Sequence, residues 1–328
     1  MKKRLLEQIS DTIRIKHYSI RTEKAYLDWV KRFVQFNNYR HPRDMGATEI
    51  KQYLTFLAVK GKVSASTQNQ ALNAIVFLYK HVLHQEIGDF SSAIRAKKPK
   101  RIPVVLNREE VMKIINCLKG VHWLIVQLLY GSGLRCIECL RLRVKDLDLT
   151  QFQLTVRHGK GAVDRVTMIP KFLEKNLLHQ LMYVKSLHEK DLSEGYGSVY
   201  LPYALERKYK NAHKEFKWQY IFPSSSISKD PRSGIIRRHH LNEDSVNAAI
   251  KKASNISQVT KRVSAHAFRH SFATHLLENG ATIYEIQRLL GHKNIETTKI
   301  YLHLMKKPGT DISSPLDILR EECKQNYE

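Results

Sequence analysis

The sequence predicts a mainly α chain with a small antiparallel β-sheet, built as an N-terminal helical bundle followed by a larger α+β domain. Three observations carry this prediction. Apolar residues recur at helical spacing through residues 1–95 and again after Asn107. The period changes to alternation at FQLTVRHGKGAVDRVTMIP, residues 152–170. Between the two helical regions lies AKKPKRIP, residues 96–103, with two prolines and four cations, the composition of an extended linker suited to a phosphate backbone.

In the first region SIRTEKAYLDWVKRFVQF sets Ile20, Tyr26, Val30, Phe33 and Val34 on one helical face with cations between them. GATEIKQYLTFLAV and STQNQALNAIVFLYKHVLH repeat the pattern, with Thr48 and Thr67 as expected N-caps. The domain limits read as 1–95, a basic linker at 96–103, and 104–328. Asn107 with Glu110 forms a capping box, and helices follow through Leu118, from Val121 to Tyr130 and from Cys136 to Leu142. Phe152, Leu154 and Val156, then Gly-Lys-Gly, then Val166 and Met168, predict a hairpin with Lys160 at its tip. Near the end, LLGHKNIETTKIYLHL places His292 nine residues before Tyr301, which on one continuous helix would put them on opposite sides. Thr282 with Glu285 opens a helix, Gly291 is suited to a left-handed end, and Asn294 is an expected cap for a second helix, so the break turns His292 and Tyr301 toward one point.

Lysine and arginine number 55 against 31 acids, a formal charge of +24 spread along 328 residues, so a polyanion is the expected partner. No stretch reaches the ~20 apolar residues of a membrane span, and no lipidation motif accompanies the charge. MKKRLLEQISD has no apolar h-region, and an intracellular, cytoplasmic protein without membrane partners is expected. Cys117, Cys136, Cys139 and Cys323 make no disulfide framework and read as small buried residues.

Several polar groups stand where burial would be costly. GSGLRCIECLRL places Arg135 at a helix start with Glu138 three residues on. SAHAFRHSFATHLLENG repeats that spacing with His266 and Arg269. Arginines beside buried faces call for a carboxylate or a phosphate. His270 and His275 read as satisfied structural histidines. A metal held by His266 and His270 needs a third ligand, and the nearby sequence offers no carboxylate placed like that of HExxH. No metal and no cofactor are expected.

Arg135, Lys160, His266, Arg269, His292 and Tyr301, in this order, resemble the tyrosine recombinases, the integrase family of site-specific DNA recombinases. The resemblance covers nearly the whole chain. It implies a SAM-like DNA-binding domain and a catalytic domain forming a C-shaped clamp on DNA, and strand cutting and rejoining through a 3′-phosphotyrosyl link. Arg135 and Arg269 would stabilise charge on the phosphate, Tyr301 would attack, Lys160 would protonate the 5′-oxygen and His266 would serve the nucleophile as acid and base. His292 would hydrogen-bond the phosphate, and Glu138 would orient the first arginine and histidine.

Two further segments, VYLPYALERKYKNAHKEFKWQYIFPSS (199–225) and RSGIIRRHHLNED (232–244), are similar to the integron integrases, with Lys210 standing where a proline commonly follows the tyrosine. That resemblance implies an inserted helix near 199–215 and cassette sites recognised as folded single-stranded hairpins beside a duplex attachment site. Trp218, among lysines, reads as a base-stacking platform or as a core anchor for that helix, and His239 and His240 as core or base-stacking residues. Lys97, Lys98, Lys100 and Arg101 of the linker are expected DNA contacts. The tail 305–328 carries a short helix from Ser314, expected to dock on a neighbouring subunit in a homotetramer on two DNA sites. A recombinase acting only on duplexes, a type IB topoisomerase and a non-enzymatic DNA-binding regulator are the competing readings.

Overall fold

A computed structural model describes residues 4–86, 95–97, 102–157, 164–201 and 205–302. The chain separates into two compact units, Met1–Arg101 and Ile102–Glu328.

The first unit packs α1 (Leu5–Ile15), α2 (Ile20–Phe36), α3 (Ala47–Val59) and α4 (Ala65–Leu78), the last extended by a π-helical turn, Tyr79–Leu83. Ile9, Val30, Phe33, Ile50, Leu54 and Ile75 are fully or almost fully buried in its core. The buried Tyr79 hydroxyl donates to the carbonyl of Pro42 at 2.9 Å, tying the end of the bundle to the α2–α3 connection. The caps differ from the expected threonines. Ser64 accepts the amide of Thr67, and Gly46 opens α3 with its own amide donating to Glu49, so Thr48 and Thr67 lie inside the first turns. Residues 95–97 lie along α4, where the Asn69 amide group exchanges hydrogen bonds with the backbone of Ala96 at 3.0 and 3.2 Å.

The second unit opens with α5 (Arg108–Asn116), α6 (Gly120–Gly131) and α7 (Cys136–Leu140), and the Asn107–Glu110 capping box is present. β1 (Leu147–Asp148), β2 (Gln153–Val156) and β3 (Arg165–Met168) form an antiparallel sheet in that order. α8 (Glu174–Ser193) and the single turn α9 (Leu205–Lys208) precede a second hairpin of β4 (Pro223–Lys229) and β5 (Ile236–His240). Then come α10 (Glu243–Ile256), α11 (Ala265–Glu278), α12 (Ile283–Leu290) and the short α13 (Glu296–Lys299). α11 lies against α6 and α12 against β3, which brings distant parts of the chain together around one end of α11. Cys136 and Cys139 are buried, Cys117 is half-buried, and Cys323 lies outside the described residues. Among the described residues no helix is long and apolar enough to cross a membrane.

Three features correct the sequence reading. On β3 the inward residues are Arg165 and Thr167, while Val166 and Met168 are 48% and 38% exposed. The register Leu154↔Thr167 and Val156↔Arg165 aligns the two inward faces, so alternation named the wrong set on the return strand. The inserted helix near 199–215 is one turn. After it the chain folds back in 3₁₀ turns so that Val199 donates to the His213 carbonyl at 2.8 Å and Trp218 is buried against Val199, Leu201, Ala212 and Tyr220. The β4–β5 hairpin was not expected. Its turn is held by Asp230, whose Oδ1 accepts the amides of Arg232 and Ser233, with Gly234 at φ +72°.

Candidate active site

The site is assembled on the glycine turn before α7. Gly133 has φ +64°, and a Cβ there would meet the Phe272 ring at 2.4 Å, so neither the backbone nor the space admits another residue. The turn sets Arg135 as N-cap of α7, where its amide donates to Glu138 Oε2 at 2.9 Å and its Nη1 to Oε1 at 2.5 Å. Glu138 is buried, with its side chain 6% exposed.

Two further guanidinium groups converge on that carboxylate. Arg165 donates from Nη1 and Nη2 to the two Glu138 oxygens at 3.1 and 2.6 Å, and from Nε to the Leu289 carbonyl at 2.8 Å. Arg269, 3% exposed, places Nη1 at 3.6 Å from Glu138 Oε2 and donates to the carbonyls of Gly133 and Leu290 at 2.6 and 2.7 Å. Burial opposes the charge of Glu138, but the hydrogen bonds and charge of Arg165, the Arg135 amide and the charge of Arg269 hold its carboxyl at about 2. Burial, then Arg135, press the Arg269 guanidinium below its ordinary value. One carboxylate faces three guanidinium groups, so the cluster carries excess positive charge suited to an anion. Arg165 was missed from the sequence; its clue was an arginine at an inward position of a strand whose partner residues are Leu154 and Val156.

α12 opens with the Thr282–Glu285 capping box and ends at Gly291 in the left-handed region, φ +64°. Asn294 accepts the amide of Glu296 at 3.0 Å, yet the residue at the N-cap of α13 is Ile295, and Tyr301 follows that helix without lying on it. The His292 and Tyr301 rings stack, 6.3 Å between centroids and 13° between planes. His292 Nε2 lies 3.2 Å from Arg269 Nη2. Since a guanidinium can only donate, Nε2 accepts and Nδ1 carries the proton, which it donates to Thr298 Oγ1 at 2.9 Å. Burial, followed by Arg269 and Arg135, holds this imidazole at about 4.

Tyr301 is 1% exposed, in an apolar cluster with Phe272, Ala273, Leu277, Ile286 and Leu290. Burial raises its phenol above the ordinary value, against the pull of Arg269 and Arg135. Its hydroxyl lies 3.0 Å from Nδ1 of His270. That contact brings His270 to the Tyr301 hydroxyl, while His266, one turn earlier, is exposed, its ring centroid 6.0 Å from that of His270. Both histidines sit on α11 one turn apart, and the turn nearer Tyr301 is that of His270. His275 pairs with the Tyr130 hydroxyl at 2.9 Å, a structural role.

Lys160, Lys98, Lys100, Arg101 and the tail 305–328 lie outside the described residues, and Lys97 is exposed. Trp218 does not present a free stacking face: it is 8% exposed, with the Lys145 ammonium 3.0 Å above its ring and Arg143 Nη1 donating to its carbonyl at 2.6 Å. Of the two alternatives read from the sequence, Trp218 takes that of a core anchor for the inserted lobe and not that of an open base-stacking platform. His239 and His240 are half-buried. His239 Nε2 stands 3.6 Å from Asp230, and His240 Nδ1 lies 2.8 Å from the Leu241 carbonyl with its ring edge-on to Tyr220.

The profile of the phage integrase N-terminal SAM-like domain matches residues 5–89, and that of the phage integrase family matches residues 104–307. An "Integrase/recombinase" of Escherichia coli is 44% identical over 316 residues, spanning 96% of this chain and 94% of its own. The tyrosine recombinase XerA of Thermococcus onnurineus is 32% identical over 302 residues, 90% of this chain and 89% of its own. Among solved structures, the Tn1549 transposon integrase in complex with transposon right end DNA is similar at TM-score 0.62 and 16% identity, covering 99% of this chain and 100% of that one. A lambda integrase dimer bound to a COC′ core site is similar at TM-score 0.59 and 16% identity, over 94% and 96%. At that identity the likeness shows the fold.

Proposed function

The chain belongs to the phage integrase family of tyrosine recombinases, and from that membership we propose that it cuts and rejoins DNA at specific sites through a 3′-phosphotyrosyl link at Tyr301. The observation that carries the reading is the convergence of Arg135, Arg165 and Arg269 on the single carboxylate of Glu138, with Tyr301 and His292 stacked beside Arg269.

Breaking a phosphodiester requires stabilisation of charge developing on its non-bridging oxygens, and fixed guanidinium groups supply it without reorganising. Arg135 and Arg269 take that part, Glu138 and Arg165 hold them, and His292 turns from Arg269 to the phosphate. Lys160 protonates the leaving 5′-oxygen. His266, at the exposed end of the site, meets the phosphate. The bond energy is kept in the tyrosyl ester, so a second 5′-hydroxyl can reseal the strand without a nucleotide cofactor.

The finer reading is an integron integrase that works as a homotetramer on a duplex attachment site and on folded single-stranded cassette sites. It is supported by the similarity of residues 199–225, whose described part packs around Trp218, and of residues 232–244, which include β5. With Trp218 in the core, His239 and His240 are the residues of those segments offered to extrahelical bases, and Lys97, Lys98, Lys100 and Arg101 to the backbone.

The test uses nicked duplexes of randomised sequence, from which detergent-stable protein–DNA adducts are captured and sequenced. An enriched site supports site-specific recombination; absence of any adduct contradicts it. The same site, drawn as an imperfect inverted repeat and supplied as a folded single strand and as a duplex, separates the subfamily reading. Adducts on the duplex alone favour the duplex-only recombinase.

A further inference from the structure

Resting on the function proposed above, we infer that His270, and not His266, is the group that takes the proton of the Tyr301 nucleophile. A base must reach the proton that it removes, and among the described residues His270 is the side chain hydrogen-bonded to the Tyr301 hydroxyl, Nδ1 to Oη at 3.0 Å. The two rings lie 5.7 Å apart, and His270 sits on the turn of α11 that also carries the buried Arg269. The imidazole is therefore fixed relative to the group that holds the phosphate.

In cleavage, Tyr301 Oη bonds to phosphorus as the bond from phosphorus to the 5′-oxygen breaks. The phenolic proton passes to His270 Nδ1, which carries a lone pair in the Nε2–H tautomer, and the 5′-oxygen takes a proton from Lys160. In rejoining, the 5′-hydroxyl attacks, the tyrosyl ester breaks, and His270 returns its proton to Tyr301.

The titratable and charged neighbours of His270 are His266 and Arg269 on its own helix, His292 from the α12–α13 connection and Tyr301 just after α13. Burial, then His266 and Arg269, hold its imidazole at about 4. A phosphodiester between Arg135 and Arg269 offsets part of that positive field. Its arrival raises the basicity of His270, so the proton acceptor is switched on by the group that Tyr301 attacks.

The experiment compares the full chain with His270→Asn and His270→Ala on duplexes captured as described, each made with an ordinary 5′-oxygen or a 5′-bridging sulfur at the scissile bond. Asparagine retains a hydrogen-bonding group near the position of Nδ1 and cannot accept the proton. Both variants should bind DNA as the parent does and form adduct about 10²- to 10⁴-fold more slowly at pH 7, the usual contribution of a positioned base. The deficit should shrink as pH approaches ~10, where the phenol ionises unaided. Sulfur leaves without protonation, so it should restore Lys160→Ala and leave the His270 variants slow. Parental rates in His270→Asn, restoration by sulfur, or a deficit that is constant with pH and follows a lowered melting temperature would each overturn the inference. Adduct formation by the parent with loss confined to these variants concerns His270; no adduct with the parent removes the proposed function and this inference together.

Discussion

Glu138 decides the stability of the site because it is buried and its closest paired guanidinium, Arg165, is buried with it, so removing Arg165 takes away two of the charge-assisted hydrogen bonds that hold the carboxylate. Arg165→Met should cost about 3–5 kcal/mol of unfolding free energy, the usual penalty for breaking a buried pair, and adding Glu138→Gln should return part of it. Denaturant titration of the single and double variants measures this; strict additivity contradicts it. The histidines give a pH signature. His270 and His292 are held at about 4 against an ordinary 6.5, so the native state stays neutral while the unfolded chain takes up protons. Their contribution is full above 6.5 and is lost as pH falls toward 4, and that of Glu138, held at about 2, is lost only between about 4.5 and 2. The melting temperature should fall by on the order of 5 °C between pH 7.5 and 5; a flat profile contradicts neutral buried histidines. At this scale the sequence made Arg135, Glu138, Arg269 and His292 readable, because each follows a glycine turn or shares a helix face with another polar group. Arg165 and His270 were hidden: one lies on a four-residue strand whose alternation points the wrong way, and the other differs from His266 only by which turn of α11 faces Tyr301.

Elements position these residues through a few backbone decisions. Gly291 ends α12 in the left-handed region, and a Cβ there would lie 2.7 Å from Arg165 Cδ. Gly291→Ala should cost about 1–2 kcal/mol for the backbone alone and should also displace Arg165, so adduct formation falls with stability. Thr282→Ala removes only the cap of the same helix and should cost about 1 kcal/mol, with its effect on cleavage no greater than its effect on folding. Trp218→Ala truncates the core of the inserted lobe and should lower stability by about 3–5 kcal/mol, weakening hairpin and duplex binding alike. Selective loss of hairpin binding at unchanged melting temperature would return Trp218 to the DNA surface. The capping boxes at Asn107 and Thr282 were legible because they depend on residues three apart. The one-turn α9 and the β4–β5 hairpin were not, since their form is set by tertiary burial of Trp218 and by an aspartate turn between serine-rich and arginine-rich strands.

For the whole molecule, a charge of +24 makes DNA affinity depend on released counterions. If binding neutralises six or more phosphates, affinity should drop roughly 10³-fold or more between 50 and 200 mM salt, alike for specific and unrelated duplexes. A shallow salt slope contradicts backbone contacts as the main source of affinity. The mainly helical, two-part plan was legible because apolar residues recur at helical spacing on both sides of the Pro- and Lys-rich segment 96–103, and the small sheet announced itself by the change to alternation at 152–170. The proposed chemistry requires that Tyr301 itself become bonded to DNA. The most direct measurement traps the adduct on a captured nicked duplex in buffer containing EDTA, digests it with trypsin and nuclease, and locates the nucleotide by mass spectrometry. A 3′-nucleotide is expected on the peptide IYLHLMK, residues 300–306, at Tyr301, and none in Tyr301→Phe. A nucleotide on another residue, or cut strands with no attached protein, contradicts it.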